Sequence, residues 1–463
     1  MAPEDTRQAI QEAEPAIPPL PEGYTYATVS DKISSIVLGQ RTRLGWFVGF
    51  GLSFLLVMLL FYAIGCLLVW GVGIWGINIP VAWGFAIVNF VWWIGIGHAG
   101  TLISAILLLL HQRWRTSINR FAEAMTIFAV SCAALFPLLH LGRPWLFYWL
   151  FPYYPSYMGV WPQFRSPLVW DVFAVSTYFT VSVLFWYVGM IPDLATLRDR
   201  ARSKFKQIVY GIMSLGWRGS AIHWSRYEMA SVLLAGLATP LVVSVHTVVS
   251  FDFTIAIVPG WHSTIFPPYF VAGAIYSGFA MVLTLAIPLR KFYHLEKFIT
   301  LKHLDNCGKL MLATGLIVGY GYFMETFMAL WSGDIFDKYM IHNRELGPYW
   351  FIYTVVLLCN VIIPQALWSR RVRRNVAALF ALAIIVNVGM WTERFMIVVV
   401  SLHRDFTPSA WGLYIPTRWD WAVLVGSLGL FAACFYLFVR YLPAISIFET
   451  RRELAQEKKE EGK

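Results

Sequence analysis

Ten runs of apolar residues, each long enough to cross a bilayer, follow one another along the chain. They fall near 45–75, 81–110, 118–140, 168–191, 227–250, 266–289, 308–331, 348–369, 376–401 and 420–442. A helix satisfies its backbone hydrogen bonds within itself, and about 20 residues at 1.5 Å each span the ~30 Å hydrocarbon core, so such runs fold as transmembrane helices. Composition agrees: 58% of the 463 residues are AVILMFWYC and 13% are charged, about half the charge of an average soluble domain. The expected fold is all-α and integral to a membrane, with ten transmembrane helices and no mass left for a large separate catalytic domain. A soluble protein is excluded.

The net charge of +10 would suit a nucleic-acid partner, but the Lys and Arg residues lie in the short segments between runs, not on one basic face, so no nucleic acid is expected. Of the 36 Lys and Arg, 29 fall on one side of the alternating helices and 6 on the other, with Arg394 inside the ninth run. Basic loops stay cytoplasmic, which predicts a multi-pass protein of the bacterial inner membrane with both termini in the cytoplasm. The first 24 residues mix acids with prolines and lack a continuous apolar core, so they read as a cytoplasmic arm and not as a cleavable signal. The outer loops near 141–167, 251–265, 332–347 and 402–419 are rich in Trp, Tyr and Pro and read as ordered docking surfaces.

Helices 2–5 and 6–9 have matching orientations and similar lengths, and helix 5 ends SVHTVVSFDF where helix 9 ends VVVSLHRDF. This suggests two four-helix bundles flanked by helices 1 and 10. The expected division is an arm at 1–44, helix 1 at 45–75, a first bundle at 81–250, a second at 266–401, helix 10 at 420–442 and a charged cytoplasmic tail at 443–463.

The five cysteines form no C-x-x-C pair, so neither an iron–sulfur cluster nor a c-type haem is expected in this chain. A b-type haem needs two histidines at one depth on different helices. His98 reads as mid-span, whereas His140 and His246 read as near the outer face, so haem is not expected either. His303 falls in a cytoplasmic segment and reads as solvated.

Ionisable groups inside spans are costly and are functional candidates by default. His140 closes helix 3 and Asp171 opens helix 4. These helices are consecutive and antiparallel, so the two side chains face one cavity at one depth. An imidazole beside a carboxylate can hydrogen-bond a hydroxyl and accept its proton, which suits quinol oxidation; the plainer alternative is a buried ion pair. His246 and Asp252 end helix 5, and Glu325, Glu393 and Arg394 lie in the outer halves of helices 7 and 9. Neighbouring Glu393 and Arg394 point about 100° apart, so each is expected to pair elsewhere, with Glu325 as a partner for Arg394. Thr101, Ser104 and Thr126 read as contacts between helices.

PLLHLGRPW at 137–145 and SPLVWDVFAV at 166–175 resemble motifs of the NrfD-like, polysulfide-reductase-type membrane subunits of quinone-linked respiratory complexes. The ten spans, the long lead and the HLGRP form are most similar to the NrfD-like C component of alternative complex III, over roughly 45–442. The resemblance implies two four-helix bundles and a quinol, expected to be menaquinol, as substrate. It implies no haem or iron–sulfur cluster of the chain's own. It places His140 and Asp171 at the quinol head group, with Arg143 and Trp145 alongside, and it makes His98, His246, Asp252, Glu325, Glu393 and Arg394 candidates for a proton route. The implied partners are a periplasmic iron–sulfur subunit, a multihaem cytochrome c subunit and a second homologous membrane subunit. Helices 7 and 8 lack a matching His and Asp in ALWSGD and ELGPYWFIY, which leaves one quinone site. The rival readings are a quinone-reducing subunit of a periplasmic oxidoreductase, a secondary transporter and a passive anchor.

Overall fold

The computed structural model describes residues 24–39, 42–150 and 164–461, and among them there are helices and no strands. Ten helices are long and apolar enough to cross a membrane: α1 Leu44–Trp70, α2 Phe85–Leu109, α3 Asn119–His140, α4 Pro167–Arg200, α5 Ala221–Thr254, α6 Phe266–Phe292, α7 Leu301–Trp331, α8 Trp350–Trp368, α9 Val376–Val400 and α10 Arg418–Tyr441. Each expected run is present. The ends differ where polar residues continue a helix past the hydrocarbon, as in α4 and α5, each 34 residues long. Local chemistry sets the starts: Pro167 occupies the first turn of α4, Ser220 caps α5 by accepting from the His223 amide, and Thr417 and Asp420 form a capping box on α10.

The most buried spans are α2 and α6, which touch each other. Around α2, the contacts run α2 with α3, α3 with α4, α4 with α5 and α5 with α2; around α6 they run α6 with α7, α7 with α8, α8 with α9 and α9 with α6. α1 packs on α10, and α10 also lies against α3. Small residues let the central helices approach closely. A Cβ on Gly278 of α6 would stand 1.7 Å from that of Ala99 on α2, and one on Gly100 would stand 2.1 Å from the Ala122 carbonyl of α3.

Two spans depart from regular α geometry. In α8, an α-helical start at Trp350–Leu357 gives way to a π segment at Leu358–Ile362 and a 3₁₀ segment at Ile363–Trp368, with Pro364 at the junction. Proline removes a backbone donor, and the π turn absorbs the mismatch. α9 turns π at Met396–Val400, directly after Glu393 and Arg394. Four further helices of ten residues or more lie between or beyond the spans: Tyr26–Leu38 within the arm, Lys204–Met213, Ile335–Leu346 in the outer loop after α7, and Ile447–Glu461 in the tail. Of the proposed docking loop at 141–167, residues 151–163 lie outside the described residues.

Candidate functional site

Three polar side chains lie at the ends of α3, α4 and α5 that the charge pattern predicts to be outer. His140 is the last residue of α3, Asp171 lies in the second turn of α4, and Asp252 lies in the last turn of α5. The Trp170 and Phe251 rings meet edge to face at 6.3 Å, which brings the neighbouring aspartates together, their carboxyls within reach of each other. A proton shared between the two carboxyls would let one donate to the other. Asp171 Oδ1, Asp252 Oδ1 and His140 Nδ1 are all buried without a hydrogen-bond partner. Buried polar atoms are nearly always satisfied, so these three unpaired ones at one end of neighbouring helices mark the candidate site.

This cluster differs from the expected one in membership. No hydrogen bond between His140 and Asp171 is found among the described residues; Asp252 is the partner of Asp171, because α5 continues to Thr254, past the apolar run that ended at 250. Arg143 and Trp145 stand outside the buried cluster. Gly142 turns the chain with φ +70° after α3, and both side chains are exposed, Trp145 by 58%.

His246 also lies deeper than expected. The extra turn of α5 places it six residues below Asp252, about 9 Å along the axis, where its Nδ1 meets Nδ1 of His98 at 2.8 Å. The two histidines therefore do share a depth, and the argument against haem from mismatched depths fails. Their rings nevertheless bond directly to each other, whereas two imidazoles on one metal stand about 4 Å apart across it. His98 and His246 form a hydrogen-bonded pair, one nitrogen donating to the other.

From them, polar contacts continue toward the opposite ends of the helices. The His98 ring meets Tyr178 edge to face at 4.6 Å, Thr101 donates to Ser182 at 3.2 Å, and the Thr101 amide donates to Thr126 at 2.9 Å. Ser104 donates to Glu123 at 2.5 Å, Arg120 donates to Glu123 at 3.1 Å, and the same guanidinium lies 3.6 Å from Asp193. Arg120, Glu123 and Asp193, all buried, escape a reading of the sequence. By hydropathy Arg120 counts as a loop charge and Asp193 falls beyond the expected end of helix 4; the available signal is the opposite-charge i,i+3 pair inside an apolar run.

The other ionisable residues gather between α6, α7 and α9. Glu393 accepts from Tyr269 at 2.7 Å and from the Tyr322 hydroxyl, and Asn360, in the π turn of α8, donates to Tyr322 at 2.9 Å. Arg394 Nη1 stands 2.7 Å from Glu393 Oε1, so the neighbours do pair, against expectation. The long guanidinium arm folds back across the 100° offset, close enough for an ion pair but not aligned as a hydrogen bond. Its other face covers the Phe270 ring at 4.3 Å, and Phe270 in turn touches the His246 ring at 5.9 Å. Glu325 is not the partner of Arg394: it accepts from Arg344 at 2.9 Å, supplied by the outer-loop helix Ile335–Leu346. His303 is buried, not solvated; its Nδ1 caps the first turn of α7 by accepting from the Thr300 amide at 3.1 Å.

Comparison with known proteins places these features in a family. A putative dimethyl sulfoxide reductase membrane subunit of Halobacterium salinarum is 25% identical over 409 residues, covering 81% of this chain and 89% of the relative. A selenate reductase subunit of Mesobacillus selenatarsenatis is 22% identical over 396 residues, covering 81% and 88%. A family model described as "Polysulphide reductase, NrfD" matches residues 75–404, which take in all of α2–α9 and the polar groups described above. The chain is therefore a ten-helix membrane protein that belongs to the NrfD, polysulphide reductase, family.

Proposed function

We propose that this protein is the quinol-binding and quinol-oxidising membrane subunit of a respiratory electron-transfer complex of the alternative complex III type. It would sit in the bacterial inner membrane with both termini cytoplasmic, and its α2–α5 and α6–α9 contact rings would act as two bundles. The observation that carries this reading is the outer cluster of His140, Asp171 and Asp252, with its three unpaired buried polar atoms. Oxidising a quinol removes two electrons and two protons. His140 Nδ1 accepts a hydrogen bond from one head-group hydroxyl, and the aspartate pair, already holding one proton between two carboxyls, relays protons to the outer side. Electrons leave to a periplasmic iron–sulfur subunit and on to a multihaem cytochrome c subunit, with a second homologous membrane subunit alongside. The relatives' names support the direction: a reductase consumes electrons, so a membrane subunit serving one draws them from the membrane.

The His98–His246 pair and the Glu393–Arg394 pair, joined through Phe270, are the proposed route by which this redox step reaches the second half of the molecule. A transporter would find some support in the broken α8, but the unpaired polar atoms His140 Nδ1, Asp171 Oδ1 and Asp252 Oδ1 lie at the outer helix ends and not at a midplane break. The test is to purify the intact complex and extract its quinone. One head group per complex, lost in Asp171→Asn without loss of subunits, supports the site; full retention in that variant overturns it.

A further inference from the structure

A groove of about 780 Å³ lies on the flank walled by α1, α2, α6, α9 and α10, on other helices than the outer cluster. Along α10 its lining runs from Trp421 to Val439, about 27 Å at 1.5 Å per residue, close to the ~30 Å depth of the hydrocarbon core. Its wall is apolar, with Trp92, Met281, Leu285 and Phe431 at its floor, while Ile384, Val388 and Leu428 are exposed along its open side. The hydroxyls of Thr284 and Thr392 are spent on their own helices, and of the buried side-chain atoms lining the groove only Asn387 Oδ1 lacks a partner. A groove of this length and polarity fits a hydrocarbon chain.

Its cytoplasmic end adds charge. There the lining ends at Gly45, Phe292, Tyr293 and Tyr436. The Arg43 guanidinium lies 5.5 Å from the Phe292 ring centre and donates to the Phe292 carbonyl. Arg440 donates to Thr42 Oγ1 at 3.0 Å, next in sequence to Arg43, and to the Val37 and Gly39 carbonyls at 2.8 and 3.4 Å. All these partners are neutral. Among the described residues Arg43 and Arg440 have no carboxylate partner, nor has Arg290, which donates to the Ile299 carbonyl at 2.7 Å, whereas Arg115, Arg198, Arg200 and Arg373 each pair with an Asp or Glu. Two uncompensated guanidinium groups at the mouth of a membrane-deep apolar groove match one chemistry: a phosphate carrying an acyl chain.

We propose that this groove holds an acyl chain of an anionic phospholipid from the cytoplasmic leaflet, with its phosphate between Arg43 and Arg440. The test reconstitutes the intact complex in phosphatidylcholine bilayers containing phosphatidylglycerol spin-labelled near the chain end. Electron paramagnetic resonance then reads the immobilised fraction against labelled phosphatidylcholine. The proposal expects an immobilised excess of phosphatidylglycerol, with a selectivity that falls about fivefold in Arg43→Gln, the contribution of one basic residue at an anionic surface. Arg43 is exposed and outside the spans, so the variant should fold. Ala432→Phe, which fills the groove, should remove the phosphatidylglycerol excess while the complex keeps all its components. Equal immobilisation of both lipids, an excess untouched by either variant, or an Ala432→Phe complex that loses only quinone would each overturn the proposal, the last by assigning the groove to a quinone near Asn387.

Discussion

Asp252 shows how much hangs on single residues here. Its carboxyl is the partner of Asp171, and exchanging it for an amide keeps a hydrogen bond while removing one acid from the relay. Asp252→Asn should therefore assemble normally and slow quinol turnover at least tenfold, the low end of the roughly 10²–10⁴-fold expected of a positioned acid–base group after an allowance for rescue by water. Steady-state rates on matched amounts of complex check this; an unchanged rate would leave Asp252 a helix contact. Glu393 is a different case, since it holds Arg394 and accepts from two tyrosines. Glu393→Gln leaves a buried guanidinium unpaired, a loss of about 3–5 kcal/mol. It should lower the yield or thermal stability of the complex, or its proton coupling, far more than it raises the quinol KM; a large KM rise with stability intact would place quinone in the second half. That His140 ends one helix and Asp171 opens the next is legible in the sequence because their motifs mark those helix ends. The His98–His246 pair is not, because a run of apolar letters stops before the helix does, and depth is read from the run.

At the level of elements, hydropathy identifies all ten spans because lipid leaves the backbone no other solution. It does not reveal the non-α turns of α8 and α9, the first of which holds Asn360, bonded like Glu393 to Tyr322. Nor does it show what the tail does. Helix Ile447–Glu461 docks on the cytoplasmic end of α3 and α4: Glu449 accepts from Arg115 at 2.6 Å and from Asn119 at 2.7 Å, and the Phe448 amide donates to Asp193 at 2.9 Å. Charge-assisted hydrogen bonds of this kind are worth about 1.5–3 kcal/mol each. Glu449→Ala should thus lower the thermal midpoint of the purified protein by several degrees; no shift would mean that the tail contributes nothing to the inner end of the first helix ring.

For the molecule as a whole, the basic residues predict the orientation, and the proposed function depends on it. A cysteine placed at Ser203, the exposed N-cap of helix Lys204–Met213, should react with a membrane-impermeant thiol reagent only after the cytoplasmic side is opened. Labelling in intact cells would turn the protein over and put the His140 cluster on the cytoplasmic side. With the orientation fixed, the decisive measurement is quinol oxidation by complexes carrying His140→Ala or Asp171→Asn, scored beside the stoichiometry of the assembled components and partner haem content. Quinol oxidation at this cluster requires that each substitution cut the rate at least about tenfold with assembly and haem unchanged. If both variants assemble normally and oxidise quinol at the wild-type rate, the buried cluster is structural and the quinol binds elsewhere.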